Sequence, residues 1–247
     1  MNSEDNGTTR RRLTRRQALA ATGAGAVGLG GGLYLVLRGD GDAPEQAGSP
    51  SGTESGRGAP GADASGSDMC VLTPEQTEGP YYVDDSMVRR DVTEGREGVA
   101  LELRLSVRDA TACEPIRDAT VEIWHCDAVG AYSGFDEEGT FLRGAQRSDR
   151  DGRVSFRTIY PGWYQGRATH IHVKVHVAGN EVHTGQLYFD EAVTRAVYGR
   201  APYDSRGEPT TTNASDGIYA AGGEQSTLAL SRQGDGYAGR MTLGVRS

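Results

Sequence analysis

Cysteine, lysine and tryptophan are the scarce residues of this chain. Three cysteines in 247 residues, Cys70, Cys113 and Cys126, cannot all pair with one another. None stands in a C-x-x-C spacing, which removes a common zinc and dithiol arrangement and leaves buried or paired structural thiols as the reading. Lys174 is the only lysine, and 26 basic residues against 34 acidic ones give a net charge of -8. That balance offers no basic footprint for nucleic acid. There is no internal repeat. Both tryptophans, all five histidines and all three cysteines fall from Met69 onward, so the chemistry belongs to residues 69–247.

The first 68 residues read as appendages. Thr14-Arg15-Arg16-Gln17-Ala18-Leu19 follows the basic cluster Arg10 to Arg12 and precedes an apolar run from Ala18 to Leu37. A twin-arginine pair ahead of a weakly hydrophobic segment is the pattern of a Tat-type export signal. The run is also long enough to span a bilayer, but glycines at 23, 25, 28, 30, 31 and 32 weaken it as a stable anchor. Residues 1–37 are therefore expected to be a signal or anchor, with cleavage open. Residues 38–68, rich in Gly, Ser, Ala, Pro and Asp, cannot bury a core and are expected to form a flexible linker. The protein is then exported, extracellular or tethered at the cell surface, and meets a membrane only through an uncleaved signal segment. Tat export moves folded proteins, which raises the expectation of a metal inserted before crossing.

From Gly98 the pattern becomes strict alternation. Val99, Leu101, Leu103, Leu105 and Val107 are apolar with polar residues between, as in a half-buried strand. Val121 and Ile123 begin a second strand, and Arg153–Ile159, His170–Val177, Gly185–Phe189, Thr227–Leu230 and Tyr237–Val245 are further candidates. One weak helix is expected near Glu191–Tyr198. Short strands with frequent turn signals predict an all-β fold, an antiparallel β-sandwich with long loops and little helix. Residues 199–223 lack periodicity and predict a long ordered loop.

His170-Ile171-His172 lies within a predicted strand, so the two histidines share a face and can converge on one ion while Ile171 points the other way. An H-x-H pair alone is weak evidence of a metal. His176 and His183 read as solvated or structural. The Pro161-Gly162 turn can aim Tyr164 back toward the strand, and a phenolate oxygen with imidazoles makes a mixed set suited to ferric iron. A second tyrosine would be needed. Tyr132, in the loop after the Trp124 strand, could reach the site, but spacing alone does not select it from eleven tyrosines.

Several ordered motifs do select it. Residues 73–82 (TPEQTEGPYY), 121–127 (VEIWHCD), 141–144 (FLRG) and 158–164 (TIYPGWY), with Gly166-Arg167 and the His170–His172 triplet, resemble the intradiol ring-cleavage dioxygenases, from about Cys70 to Val245. The resemblance implies a β-sandwich core and one non-haem ferric iron, Fe(III), per chain, with Tyr132, Tyr164, His170 and His172 as ligands. It implies that Tyr164 also acts as the departing base, with Arg167 and Gln186 in catalytic roles and Gly79, Pro80 and Tyr81 lining the substrate pocket. The implied reactants are a small aromatic diol and dioxygen, and the product is a cis,cis-muconate-type diacid. The chain lacks the helical dimerisation region of the cytoplasmic catechol enzymes, so it resembles a short secreted branch, and oligomeric state does not transfer. Two rival readings differ in class: a non-catalytic sandwich that binds carbohydrate or protein, and a zinc hydrolase, which paired tyrosines disfavour. Colour separates them, because only a ferric tyrosinate protein is red to burgundy.

Overall fold

In the computed structural model, residues 71–84 and 87–247 are described. The expected signal and linker, and Cys70, lie outside these residues. Among the described residues no helix is long and apolar enough to cross a membrane.

Among the described residues eight strands form two four-stranded sheets. β1 is Ala100–Asp109, β2 Thr120–Trp124, β3 Arg143–Arg147, β4 Arg153–Ile159, β5 His170–Val177, β6 Asn180–Tyr188, β7 Ala229–Gln233 and β8 Gly236–Val245. The first sheet has the order β4-β1-β8-β7 and the second β3-β2-β5-β6. Pairing is antiparallel throughout except for β1 against β8, which run parallel. The alternation in β1 buries Leu101, Leu103, Leu105 and Val107, which join Val154, Phe156, Leu243 and Val245 of the same sheet. Val121, Ile123, Ile171, Val173, Val175 and Leu187 of the second sheet complete that core. Apolar burial between two pleated faces is the main force holding such a sandwich together.

One strand is not among those the alternation predicts. β3 has the sequence RGAQR, with no apolar alternation, and only its pairing with β2 defines it. It borders the sheet, and Gly144 is required there because a Cβ would stand 2.7 Å from Val92 Cγ1. β6 begins five residues before the expected Gly185, since Asn180 and Glu181 are exposed and Val182 is the single apolar residue before Gly185. The helix α1, Glu191–Tyr198, is where it was expected, capped by the Asp190 carboxylate, which accepts from the Ala192 and Val193 amides. The stretch 199–223 is ordered through short 3-10 turns at Tyr203–Arg206, Asn213–Ser215 and Tyr219–Ala221.

β5 is buried on both faces for most of its length. Its odd-numbered residues enter the core, while His170, His172 and Lys174 point to the outer face of the second sheet. Loops cover that face, and the site is built there.

Candidate metal centre

Strand register sets the first layer of the site. Arg143, Trp124, His172 and Gln186 are paired across β3, β2, β5 and β6, and His170 is paired with Tyr188 on the next row of the same face. The Trp124 and His172 rings stack at 4.8 Å and 5° interplanar angle, which fixes the imidazole plane. Gly79 lies on the other side. It has φ +75°, and a Cβ there would be 3.2 Å from His172 Cε1, so glycine is needed for conformation and for space.

Two loops bring the tyrosines. After Trp124 the Asp127 carboxylate accepts from the Val129 and Ala131 amides, shaping the turn that leads to Tyr132. The Pro161-Gly162 turn packs directly on that loop: the Gly162 amide donates to the Asp127 carbonyl at 2.9 Å, and a Cβ at Gly162 would lie 2.4 Å from the same oxygen. Tyr164, two residues on, is thereby placed beside Tyr132, with ring centroids 5.8 Å apart. Arg143 fixes the approach from β3, donating to the Ser133 hydroxyl, the Ser133 carbonyl and the Tyr81 carbonyl. Tyr81 stacks on Tyr132 at 4.2 Å.

The four expected ligand side chains converge. Tyr164 Oη is 3.2 Å from His170 Nε2, and the two Nε2 atoms of His170 and His172 are 3.1 Å apart. His170 Nδ1 donates to the Ala168 carbonyl at 2.7 Å, so its Nε2 keeps a free lone pair. Tyr132 Oη is buried without a hydrogen-bond partner. Burial lowers the His170 pKa to about 3 and holds His172 well below the usual histidine range, so both rings are neutral donors. Burial raises the Tyr132 phenol well above 10, and the neighbouring Tyr164 raises it further. Tyr164 is likewise raised by burial, partly countered by Arg167. Two desolvated phenols and two neutral imidazoles at such distances lack a cation among themselves, and this donor set fits a hard, trivalent metal. Among the described residues no group of three or more His, Cys, Asp or Glu is placed to hold a metal.

The other expected residues are also here. Arg167 Nη2 donates to Gln186 Oε1, and Gln186 Nε2 donates to the Thr77 carbonyl. Gly79 and Tyr81 wall the site, whereas Pro80 is exposed. The remaining histidines are elsewhere. His125 is satisfied by the Cys126 carbonyl and the Thr158 hydroxyl, His176 faces Glu122 at 3.0 Å, and His183 is buried against Gly185. Cys126 is a free thiol, buried and pushed up in pKa by burial, and Cys113 is disulfide-bonded. Two participants had no sequence signal. Asp216, in the aperiodic loop, binds Arg167, and Lys174 pairs with Glu78 ahead of Gly79.

Comparison with known proteins agrees with this geometry. A family model described as Dioxygenase matches residues 77–197. The chain is 33% identical to an intradiol ring-cleavage dioxygenase from Tetranychus urticae, with TM-score 0.69, covering 72% of this chain and 95% of that one. It is 32% identical to the dioxygenase domain of a dioxygenase carbohydrate-binding protein fusion from Streptomyces sp. SirexAA-E, with TM-score 0.57, covering 71% and 98%. A chlorocatechol 1,2-dioxygenase of Cupriavidus pinatubonensis is 30% identical over 138 residues, 46% of this chain and 53% of that protein. A catechol 1,2-dioxygenase of Pseudomonas sp. is 38% identical over 99 residues, 37% of this chain and 32% of that protein. The match thus spans only a third to about half the length of these two relatives.

Proposed function

Because the chain belongs to the intradiol ring-cleavage dioxygenase family, we propose that it opens a catechol-type ring between its two hydroxylated carbons, using dioxygen and yielding a cis,cis-muconate-type diacid. The observation that carries this reading is the convergence of Tyr164 Oη, His170 Nε2 and His172 Nε2 beside the unpartnered Tyr132 hydroxyl. In this reading the four side chains hold one non-haem ferric ion. Ferric iron, when bound, draws electron density from a coordinated diol so that the ring becomes reactive toward dioxygen.

The chain's own residues divide the remaining work. Tyr132 is fully buried and enclosed by Tyr81, Trp124 and Cys126, as suits a permanent ligand. Tyr164 is only partly buried and is the ligand able to swing away, its phenolate taking a proton from the arriving diol. Arg167 supplies fixed positive charge beside the reacting ring, and Gln186 sets the orientation of Arg167. Gly79 and Tyr81 shape the wall against which a planar diol lies, with Pro80 at its exposed rim.

The test is the iron content and visible spectrum of the full chain purified after cytoplasmic expression. About one iron per chain is expected, with a charge-transfer band that shifts on anaerobic addition of catechol, protocatechuate or hydroxyquinol, and with a ring-opened diacid formed in air. Colourless, iron-free protein would overturn the reading. We also propose export by the Tat-type route, supported by Arg15-Arg16 ahead of the Ala18–Leu37 run, with residues 69–247 as the catalytic domain. Lys substitution of both arginines should retain folded protein in the cytoplasm, and undiminished export would refute that route.

A further inference from the structure

Arg167 is held by a closed ring of polar contacts, and the ring begins far from it in sequence. Its Nε donates to Asp216 Oδ2 at 3.0 Å. Its Nη2 donates to Gln186 Oε1 and, at 3.5 Å, to Tyr188 Oη. Tyr188 Oη lies 3.0 Å from Gln186 Oε1 and 3.2 Å from Gln76 Oε1. Gln76 Nε2 donates to the Ile218 carbonyl at 2.9 Å, and the Ile218 amide donates to Asp216 Oδ1 at 2.7 Å, which returns to the start. Within this ring only Nη1 of the guanidinium has no hydrogen-bond partner among the described residues.

Asp216 is 2% exposed, on a loop that carries no apolar pattern to explain it. Besides Arg167 it accepts from the Ala168 amide at 2.8 Å and the Tyr219 amide at 3.2 Å. Burial by itself would raise its carboxyl pKa, but the Ala168 amide and the Arg167 guanidinium outweigh burial and hold it below the ordinary range. A buried carboxylate is a costly way to close a loop, since apolar packing does the same at less expense. Its two oxygens do separate things: Oδ1 caps the 218–219 turn, and Oδ2 grips both the side chain of Arg167 and the backbone that leads to His170.

Building on the proposed intradiol reading, we propose that Asp216 is a positioning residue for the reaction, anchoring the ring that turns Arg167 so that its Nη1 alone faces the substrate. The Asp216 side chain bonds Arg167 and the Ala168, Ile218 and Tyr219 amides, none of them an expected metal ligand, and acts through Arg167. Displacing a charge-stabilising donor by as little as 1 Å can cost about a hundredfold in rate, and it does so in kcat when the interaction matters mainly at the transition state.

The experiment compares full-length, iron-loaded wild type, Asp216→Asn, Arg167→Ala and the double variant with catechol as substrate. Asp216→Asn keeps an acceptor for the 218–219 amides but sets an amide NH2 against both Arg167 Nε and the Ala168 amide. Its kcat should fall by roughly 10- to 100-fold while KM stays within about threefold, and unchanged iron content and resting colour separate this from a shift of the Ala168–His170 backbone. In the Arg167→Ala background the same substitution should change kcat by less than about threefold, because the group it positions is gone. Equal kcat for wild type and Asp216→Asn, or effects that multiply in full in the double variant, would overturn the proposal. Should Asp216→Asn fail to fold, Gln76→Ala opens the ring from its half-buried side. It is expected to lower kcat by roughly three- to tenfold at constant KM, and unchanged kcat there would sink the idea. A wild type inert toward catechol, protocatechuate and hydroxyquinol alike overturns the intradiol reading and this role together, whereas an active wild type beside an equally active Asp216→Asn overturns only the role.

Discussion

Replacing Tyr132 by Phe should move the stability of the metal-free and the iron-loaded protein in opposite directions. The Tyr132 side chain is 0% exposed, and its hydroxyl has no hydrogen-bond partner. Burying an unsatisfied hydroxyl costs about 1 to 3 kcal/mol, and Phe fills the same space between Tyr81 and the His172 ring without that oxygen. Metal-free Tyr132→Phe should therefore be more stable by about that amount, with Tm higher by roughly 2–4 °C per kcal/mol for a domain of this size. Iron stabilises the native state in proportion to its affinity, and loss of one anionic ligand should remove most of the iron-dependent rise in Tm. Scanning calorimetry of chelated and iron-loaded samples of both proteins gives the four values needed. A purely structural Tyr132 makes a different forecast, in which the chelated variant melts lower and the metal response is intact. That outcome would refute the assignment of Tyr132 as a ligand.

Three more outcomes follow from the same geometry. Tyr164→Phe should lose part of the resting colour, yet its anaerobic catechol complex should match the wild-type spectrum, because Tyr164 is absent from the iron in both; a mismatch would reverse the roles of the two tyrosines. Acid should destabilise the chelated protein through its buried histidines, whose pKa burial lowers to about 4 for His125 and His183 and about 3 for His170, below the ordinary 6.5. The unfolded chain binds protons that the native state refuses, so this stability is complete above pH 6.5. It is lost as pH falls toward 4 and 3, at up to ~1.4 kcal/mol per pH unit for each histidine, and a flat denaturant midpoint between pH 6.5 and 4.5 would contradict it. Gly79→Ala should weaken iron retention, since a left-handed backbone costs a non-glycine residue roughly 1 to 2 kcal/mol and the new methyl presses on His172 Cε1 at 3.2 Å; chelator competition measures it, and unchanged retention would show that the His172 ring does not depend on this contact.

The parts of the molecule legible in sequence are those where local pattern and tertiary role coincide. β1, β4 and β5 were visible because alternation is a direct image of one face meeting the core, and the helix at Glu191–Tyr198 carries its own cap in Asp190. The His170 and His172 pair was visible for the same reason. β3 was not, because Arg143 and Gln146 carry no apolar alternation; Arg143 instead spends its side chain on Ser133 and the Tyr81 carbonyl. Tyr132 could be chosen only by family resemblance, since nothing in its own loop shows that the Gly162 turn packs on the Asp127 carbonyl. The Asp216–Arg167 and Lys174–Glu78 contacts were silent because they join residues 49 and 96 apart in the chain, and no periodicity encodes such a contact.

The division between legible and silent residues is also a division of mechanical labour. His170 and His172 are fixed by a strand whose other face is the hydrophobic core, so their separation cannot change without disturbing Ile171, Val173 and Val175. Tyr132 and Tyr164 come from loops, and the two loops differ in what restrains them. The Tyr132 loop is tied down by Asp127, Asp136 and Arg143, and its ring is covered by Tyr81. Tyr164 has one side-chain hydrogen bond, to His170, and an open side. In the proposed iron site three ligands would stay and one, Tyr164, would yield to a chelating diol. The fold grades restraint from strand to braced loop to open loop, so under the proposed reading packing, and not chemistry, would decide which of two identical phenols leaves.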